Sequence, residues 1–194
     1  LASIEHNMHL RQEAESSLHR MTQYDSLTGL PNRQQLQSQL DHILDEARRM
    51  QRRVAVLCLG LDDFKGVNEQ YSYQAGDCLL KALADRLRGS AGRLGALARL
   101  GGDQFVLVLS GIEQPYEAAE LAQALLDDLE NPIDFDGDPI RLRATIGITL
   151  YPEDGDNTEK LLQKAEQTMT LAKSRSRNRY QFYVASIDSE MRAR

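Results

Sequence analysis

The pattern of apolar and polar positions divides the chain into helices and strands in a single, non-repeating order. The run VAVLCLGL, residues 54–61, is apolar throughout, as expected of a central strand buried on both faces. Leu97–Leu100 and Phe105–Leu109 are two further strands, and the glycines between them predict a tight hairpin turn. A long strand at 140–152 and an edge strand at 180–184 follow. Helices are predicted where apolar residues recur every three to four positions, over residues 36–50, 64–71, 76–87, 116–130 and 157–174.

This order of elements predicts an α+β fold with a mixed central sheet of about five strands flanked by helices. The end of the first long strand, GLDD at 60–63, should meet the hairpin tip, GGDQ at 101–104. Acidic side chains that converge there would repel one another unless cations lay between them, which favours a Mg²⁺-dependent nucleotide site. The alternative is that Asp62 and Asp63 cap the helix that follows, and these residues alone leave the two interpretations even.

Residues 1–23 differ from the rest of the chain. They are polar, contain no Pro or Gly, and carry only sparse apolar positions. Such a narrow stripe predicts a helix that pairs with a partner helix or continues one from an upstream module. A frayed chain end is an equally good explanation. Because the chain begins without Met, we expect it to be part of a longer protein.

Composition narrows the functional classes. The 194 residues are 41% hydrophobic and 27% charged, which is enough for one globular domain with a sizeable core. The net charge of −6 argues against general nucleic-acid binding, and no apolar run is long enough to cross a membrane. Cys58 and Cys78 lie among apolar residues and predict reduced core thiols of a cytoplasmic protein. The histidines show no metal-ligand spacing and are interpreted as surface residues: His6, His9, His19 and His42.

Two polar pairs are candidate nucleotide ligands. Asn68 and Asp77 could bind the hydrogen-bonding edge of a purine, although solvated loop residues are the commoner explanation. Lys173 and Arg177, one helical turn apart, could hold a triphosphate. Cations also stabilise a helix C-terminus without any ligand, so this pair alone does not distinguish phosphate binding from helix stabilisation.

Taken together, these stretches resemble the GGDEF family, whose domains condense two GTP molecules into cyclic di-GMP. DSLTGLPNR resembles the family's D-x-L-T-G-L-x-N-R, and LDDFKGVNEQYSYQAGD is similar to its D-x-D-x-F-K-x-x-N-D-x-x-G-H-x-x-G-D. LAKSRSRNR stands in the place of the closing A-K-x-x-G-R-N. The resemblance covers about residues 24–184 and implies a palm-like nucleotide cyclase fold preceded by a signalling helix. The signature motif corresponds to Gly101, Gly102, Asp103, Gln104 and Phe105.

The resemblance implies that the nucleotide cradle is intact. Asn68 and Asp77 would recognise guanine. The phosphates would be held by Lys173 and Arg177, together with backbone N–H groups near Phe64 and Lys65.

The resemblance also implies an impaired metal site. The family's first metal-binding Asp aligns with Gly60, and the Glu of the signature aligns with Gln104. Asp103 and the backbone carbonyl of Leu61 remain as ligands. Mg²⁺ demands anionic oxygens in a near-octahedral array, so we expect it to bind weakly or as a single ion. Asp62, or Asp63 beside it, could replace the missing carboxylate, and this is the less favoured outcome.

Smaller departures from the family pattern also favour an impaired cyclase. Ser72 and Tyr73 replace Gly-His, Glu69 replaces an Asp, and Ser176 replaces a Gly. The family's inhibitory product site needs Arg and Asp at positions where this chain has Gly92 and Gly95. We therefore expect no feedback binding of cyclic di-GMP at that site.

These observations favour a cyclase-inactive domain that binds GTP and regulates a larger protein, a cyclic di-GMP phosphodiesterase. Residues 185–194 resemble a linker toward a C-terminal EAL domain, and an upstream sensor domain is expected before residue 1. A weak but genuine diguanylate cyclase is the runner-up. A third hypothesis is a nucleotide-free scaffold that forms a homodimer through residues 1–23.

Overall fold

The computed structural model describes residues 2–90 and 95–185, without the side chains of residues 19–21. Over these ranges the helices are α1 (Ala2–Gln23), α2 (Arg33–Met50), α3 (Phe64–Gln70), α4 (Tyr73–Gly89), α5 (Tyr116–Asp128) and α6 (Thr158–Arg175). The strands are β1 (Arg53–Leu61), β2 (Ala96–Gly101), β3 (Gln104–Ile112), β4 (Ile133–Phe135), β5 (Asp138–Ile140), β6 (Ala144–Tyr151) and β7 (Tyr180–Phe182). Gly92, His19's side chain and the linker segment after residue 185 lie outside the described part.

The main sheet has five strands in the order β2-β3-β1-β6-β7. Neighbouring strands are antiparallel except β6 and β7, which are parallel. The predicted mixed α+β sheet is confirmed, with β1 beside the hairpin of β2 and β3 and with β7 at an edge. The separate hairpin of β4 and β5 forms a second, two-stranded sheet.

Helices cover both faces of the main sheet. Every position of β1 after Arg53 is therefore buried. Ala55, Leu57 and Leu59 join the core formed with α4 and α5. Val54, Val56 and Cys58 join the core formed with α2 and α6. Because side chains alternate along a strand, Gly60 belongs to the second series and lies on the α6 side.

The hairpin of β4 and β5 was not predicted, and the strand expected at 140–152 is confirmed only over β6, Ala144–Tyr151. Ile140 ends β5, and β6 begins only at Ala144. The two residues that join β4 to β5, Asp136 and Gly137, both have positive φ values, of 50° and 86°. Asp-Gly is favoured in two-residue hairpin turns that need positive φ at both positions. The Asp-Gly pair in the sequence therefore indicated this hairpin.

The first helix carries its apolar side chains on the surface. Ile4, Met8 and Leu18 are 60%, 59% and 62% exposed. His6 and His42 are also exposed, as predicted, and the exposed His9 contacts Glu13 at 3.1 Å. Within the described ranges, no helix is both long enough and apolar enough to cross a bilayer.

Both cysteines are free thiols, as the sequence predicted, but the expected core position is confirmed only for Cys58, because Cys78 is half-buried. Cys58 is fully buried in β1, and this burial raises the pKa of its thiol. A thiol held in its neutral form is a poor nucleophile, which fits a packing role.

Candidate functional site

The end of β1 and the tip of the β2–β3 hairpin lie side by side, as predicted. Gly60 pairs with Gln104 in the antiparallel register, and the Leu61 N–H donates to the Asp103 carbonyl at 3.2 Å. Gly101 and Gly102 make the turn with φ values of 132° and 52°, which favour glycine. The site is therefore built on the ends of two paired strands.

The hairpin tip is anchored by Arg99, which the sequence analysis missed. Its guanidinium donates to the Gly102 carbonyl at 3.1 and 2.7 Å and to both carboxylate oxygens of Asp25 at 3.0 and 3.1 Å. Asp25 also accepts from the Thr28 hydroxyl at 2.7 Å. Burial raises the pKa of Asp25, but the hydrogen bonds from Thr28 and Arg99 outweigh it and hold that pKa below its usual value. The DSLTGLPNR segment thus fixes the position of the tip.

Asp62 is held by neighbouring elements. Its carboxylate accepts from the Thr145 hydroxyl at 2.8 Å and from the Asn178 backbone N–H at 2.9 Å. These contacts tie the end of β1 to β6 and to the loop after α6. The arrangement favours a structural role for Asp62 over the role of replacement cation ligand.

Asp63 is exposed and occupies the N-cap position of α3, as the capping interpretation predicted. Its backbone is left-handed, with φ of 56°, and its side chain makes no capping hydrogen bond. The capping interpretation is therefore wrong for both side chains, although Asp63 occupies the N-cap position.

Lys173 of α6 reaches the place where the two strand ends meet. Its Nζ donates to the Leu61 carbonyl at 2.8 Å and lies 4.0 Å from an Asp103 carboxylate oxygen. A Cβ built on Gly60 would lie 3.0 Å from this Nζ and 2.7 Å from the Met169 sulfur. Met169 and Lys173 therefore fill the space that a side chain at position 60 would need.

The residues present do not fit the pair of divalent cations that the family resemblance implies. Asp103 supplies one carboxylate and Leu61 one carbonyl, and the carbonyl already accepts from the Lys173 ammonium. Gly60 has no side chain, and Gln104 has a neutral amide. Within residues 2–90 and 95–185, no three His, Cys, Asp or Glu side chains are grouped to hold a metal ion.

The structure brings Asn68 next to the segment that carries Asp77. A Cβ on Gly76 would lie only 1.8 Å from the Asn68 carboxamide oxygen, so this amide rests directly on the Gly76 backbone. Asp77 is the next residue and is exposed on α4. Ser72 caps α4 by accepting from the Ala75 N–H at 3.0 Å, which explains why the helix starts earlier than predicted.

The phosphate-binding candidates lie on three different segments. Phe64 and Lys65 begin α3, where backbone N–H groups have no acceptor within the helix. The expectation that Lys173 and Arg177 share one helix is wrong, because α6 ends at Arg175. Arg177 lies in the following loop and is exposed, and the bond from Asn178 to Asp62 directs the chain away from the helix there.

Comparison with known proteins decides the family. The model of the family described as "Diguanylate cyclase, GGDEF domain" matches residues 22–179. The chain belongs to the GGDEF family. GGDEF domains act in cyclic di-GMP signalling and generally use Mg²⁺.

Relatives of this GGDEF domain differ in their named activities. The bifunctional diguanylate cyclase/cyclic di-GMP phosphodiesterase MucR of Pseudomonas aeruginosa is 39% identical over 91% of this chain. The cyclic di-GMP phosphodiesterase NbdA of the same organism is 37% identical over 90% of this chain. The chain spans only 26% and 22% of the lengths of these two relatives.

A solved structure has the same fold. The GGDEF domain of TpbB, also called YfiN, from P. aeruginosa superposes with a TM-score of 0.82 at 33% identity. The match covers 87% of this chain and 99% of that domain. The palm-like cyclase fold expected from the sequence is therefore confirmed.

Proposed function

We propose that this GGDEF domain binds GTP as a regulatory module and does not synthesise cyclic di-GMP. The observation that carries the proposal is the environment of Gly60, where Met169 and Lys173 occupy the space of the missing carboxylate. Two carboxylates fewer than the family pattern leave little negative charge for a pair of cations. Losing one group that stabilises a reacting phosphoryl centre costs on the order of a hundredfold to a thousandfold in rate.

The nucleotide cradle supports the binding half of the proposal. Asn68 and Asp77 lie on adjacent segments and could bind the guanine edge, the carboxylate accepting from ring nitrogens. Phe64 and Lys65 offer backbone N–H groups at the start of α3. Arg177 is exposed on the loop that follows α6. Lys173 adds positive charge at Leu61, three residues before Phe64, where α3 begins.

The weaker alternative is a slow diguanylate cyclase. It is favoured by Asp103, which remains at the hairpin tip with 32% of its side chain exposed, and by the named activities of relatives such as MucR. Incubation of the chain with GTP and Mg²⁺ or Mn²⁺, followed by chromatography, separates the two. We expect no cyclic di-GMP, and steady product formation would overturn the inactive assignment.

Binding is tested by calorimetric titration with GTP. We expect Asp77→Ala to weaken binding by about tenfold or more, because a hydrogen bond to a charged group is lost. Asp85→Ala is the matched control, since Asp85 is an exposed carboxylate further along α4. Equal affinities for wild type and Asp77→Ala would contradict the guanine assignment. If titration of the wild type with GTP produces no heat, GTP binding is refuted and the nucleotide-free scaffold becomes the favoured hypothesis.

The larger assembly is also a proposal. We place this domain in the cytoplasm, between an upstream sensor domain and a C-terminal EAL phosphodiesterase domain whose activity it regulates. The exposed apolar residues of α1, such as Ile4 and Met8, support pairing of α1 with a second copy in a homodimer. GTP bound at the site would bias the neighbouring domain by preferring one of two arrangements.

A further inference from the structure

The Lys173 ammonium lies beside the Leu61 carbonyl and Asp103, the two metal-ligand candidates that the family resemblance leaves. It bonds the Leu61 carbonyl at 2.8 Å and lies 4.0 Å from Asp103. Its side chain is 25% exposed, so it remains within reach of a ligand. An ammonium has three N–H donors, and Leu61 uses one, so the others can face Asp103 and a phosphate.

Gly60 leaves room for the Lys173 ammonium at the end of β1. A Cβ there would lie 3.0 Å from Lys173 Nζ and 3.1 Å from Lys173 Cε. Both distances are tighter than ordinary contact, so a side chain at position 60 would require the end of the lysine to shift by a few tenths of an ångström. With glycine at position 60, the ammonium occupies this position without that shift.

A divalent ion would have to compete with this ammonium for the same two oxygens. A divalent ion bound to these oxygens would lie close to the Lys173 ammonium, and like charges at close range repel. Asp103 alone also offers too few anionic ligands for Mg²⁺. A lysine cannot dissociate, and as a compact point charge it suits phosphate binding. It cannot supply the octahedral ligand array through which Mg²⁺ orders a phosphoryl group.

We propose that Lys173 is the built-in cation of this domain and that GTP binds here without a divalent metal ion. This inference rests on the proposed GTP binding and adds the identity of the cation. Lys173 neutralises Asp103 and then contacts the triphosphate from the same position. The domain consequently responds to the GTP concentration and is insensitive to the concentration of free Mg²⁺.

The first test compares GTP affinities in EDTA and in Mg²⁺ by calorimetry. We expect the wild-type affinities in the two buffers to agree within a few-fold. Lys173→Gln should weaken binding in EDTA by about tenfold or more, and Lys173→Arg should retain most of the affinity. The matched control is Lys160→Gln at the opposite end of α6, which should bind like the wild type. Wild-type binding that needs Mg²⁺ would overturn the inference.

The second test uses Mn²⁺ alone, without nucleotide, and follows free Mn²⁺ by electron paramagnetic resonance. The wild type should take up no Mn²⁺, and the triple variant Gly60→Asp/Gln104→Glu/Lys173→Gln should bind it. Circular dichroism checks that this variant folds. If it does not, the wild type and Asp103→Asn decide, because Mn²⁺ uptake that Asp103→Asn abolishes would refute the inference. Absence of GTP binding in both buffers would refute the proposed function, and the Mn²⁺ test would still decide the identity of the cation.

Discussion

Replacing Asp62 by Ala tests whether this carboxylate holds the fold together or serves as a spare cation ligand. The substitution removes the acceptor for the buried Thr145 hydroxyl and for the Asn178 N–H. Each hydrogen bond to a charged group is worth about 1.5–3 kcal/mol, and partial exposure of Asp62 lowers this value. We expect the free energy of unfolding to fall by about 2 kcal/mol. For a domain of this size, that loss lowers Tm by about 4–8 °C.

Urea denaturation and thermal unfolding measure the effect. Asp62→Asn should keep more than half of the lost stability, since an amide can still pair with both partners. Asp63→Asn is the matched control: it removes a neighbouring exposed charge, tolerates the left-handed backbone, and should change stability by less than about 0.5 kcal/mol. The structural interpretation is refuted if Asp62→Ala unfolds like the wild type. It is also refuted if Mg²⁺ raises the wild-type Tm and Asp62→Ala abolishes that rise.

Two further predictions concern the cradle and the anchor of the hairpin tip. Gly76→Ala places a Cβ where the Asn68 carboxamide lies and should weaken GTP binding about tenfold by calorimetry. Gly89→Ala on the same helix has no atom within 4 Å and should bind GTP normally. Asp25 has a lowered pKa, so its ion pair with Arg99 stabilises the fold above about pH 4 and is lost as pH falls through the folded value. In urea titrations Asp25→Asn should therefore lose less stability than the wild type on acidification, and parallel curves would contradict this.

The sequence predicted the main sheet because its central strand is a continuous apolar run. Residues 54–61 are apolar at every position, and the structure buries nearly the whole of β1 between two helical layers. The convergence of residues 60–63 with 101–104 followed from the hairpin turn and the adjacency of strands. The hairpin of β4 and β5 was missed because its strands have only three residues each, too few for a period to emerge.

Contacts between residues distant in sequence could not be predicted. Asp25 and Arg99 are 74 positions apart, and neither residue carries a local signal that names the other. Lys173 was predicted to hold phosphate on the same helix as Arg177, because the periodicity alone did not show that α6 ends at Arg175. The bond from Asn178 to Asp62 joins segments 116 positions apart, so it too required the folded chain.

The proposed nucleotide cradle and the surroundings of Gly60 are built on different elements. Asn68 and Asp77 lie on α3 and α4, on the side of the sheet opposite the Gly60 face of β1. Gly60 of β1 faces Met169 and Lys173 of α6, and Met169 belongs to the second core. A side chain at position 60 would meet Met169 and Lys173, so we expect it to leave the packing of α3 against α4 unchanged. The two helical layers pack separately, and we therefore expect a change at position 60 to leave the proposed guanine pocket in place.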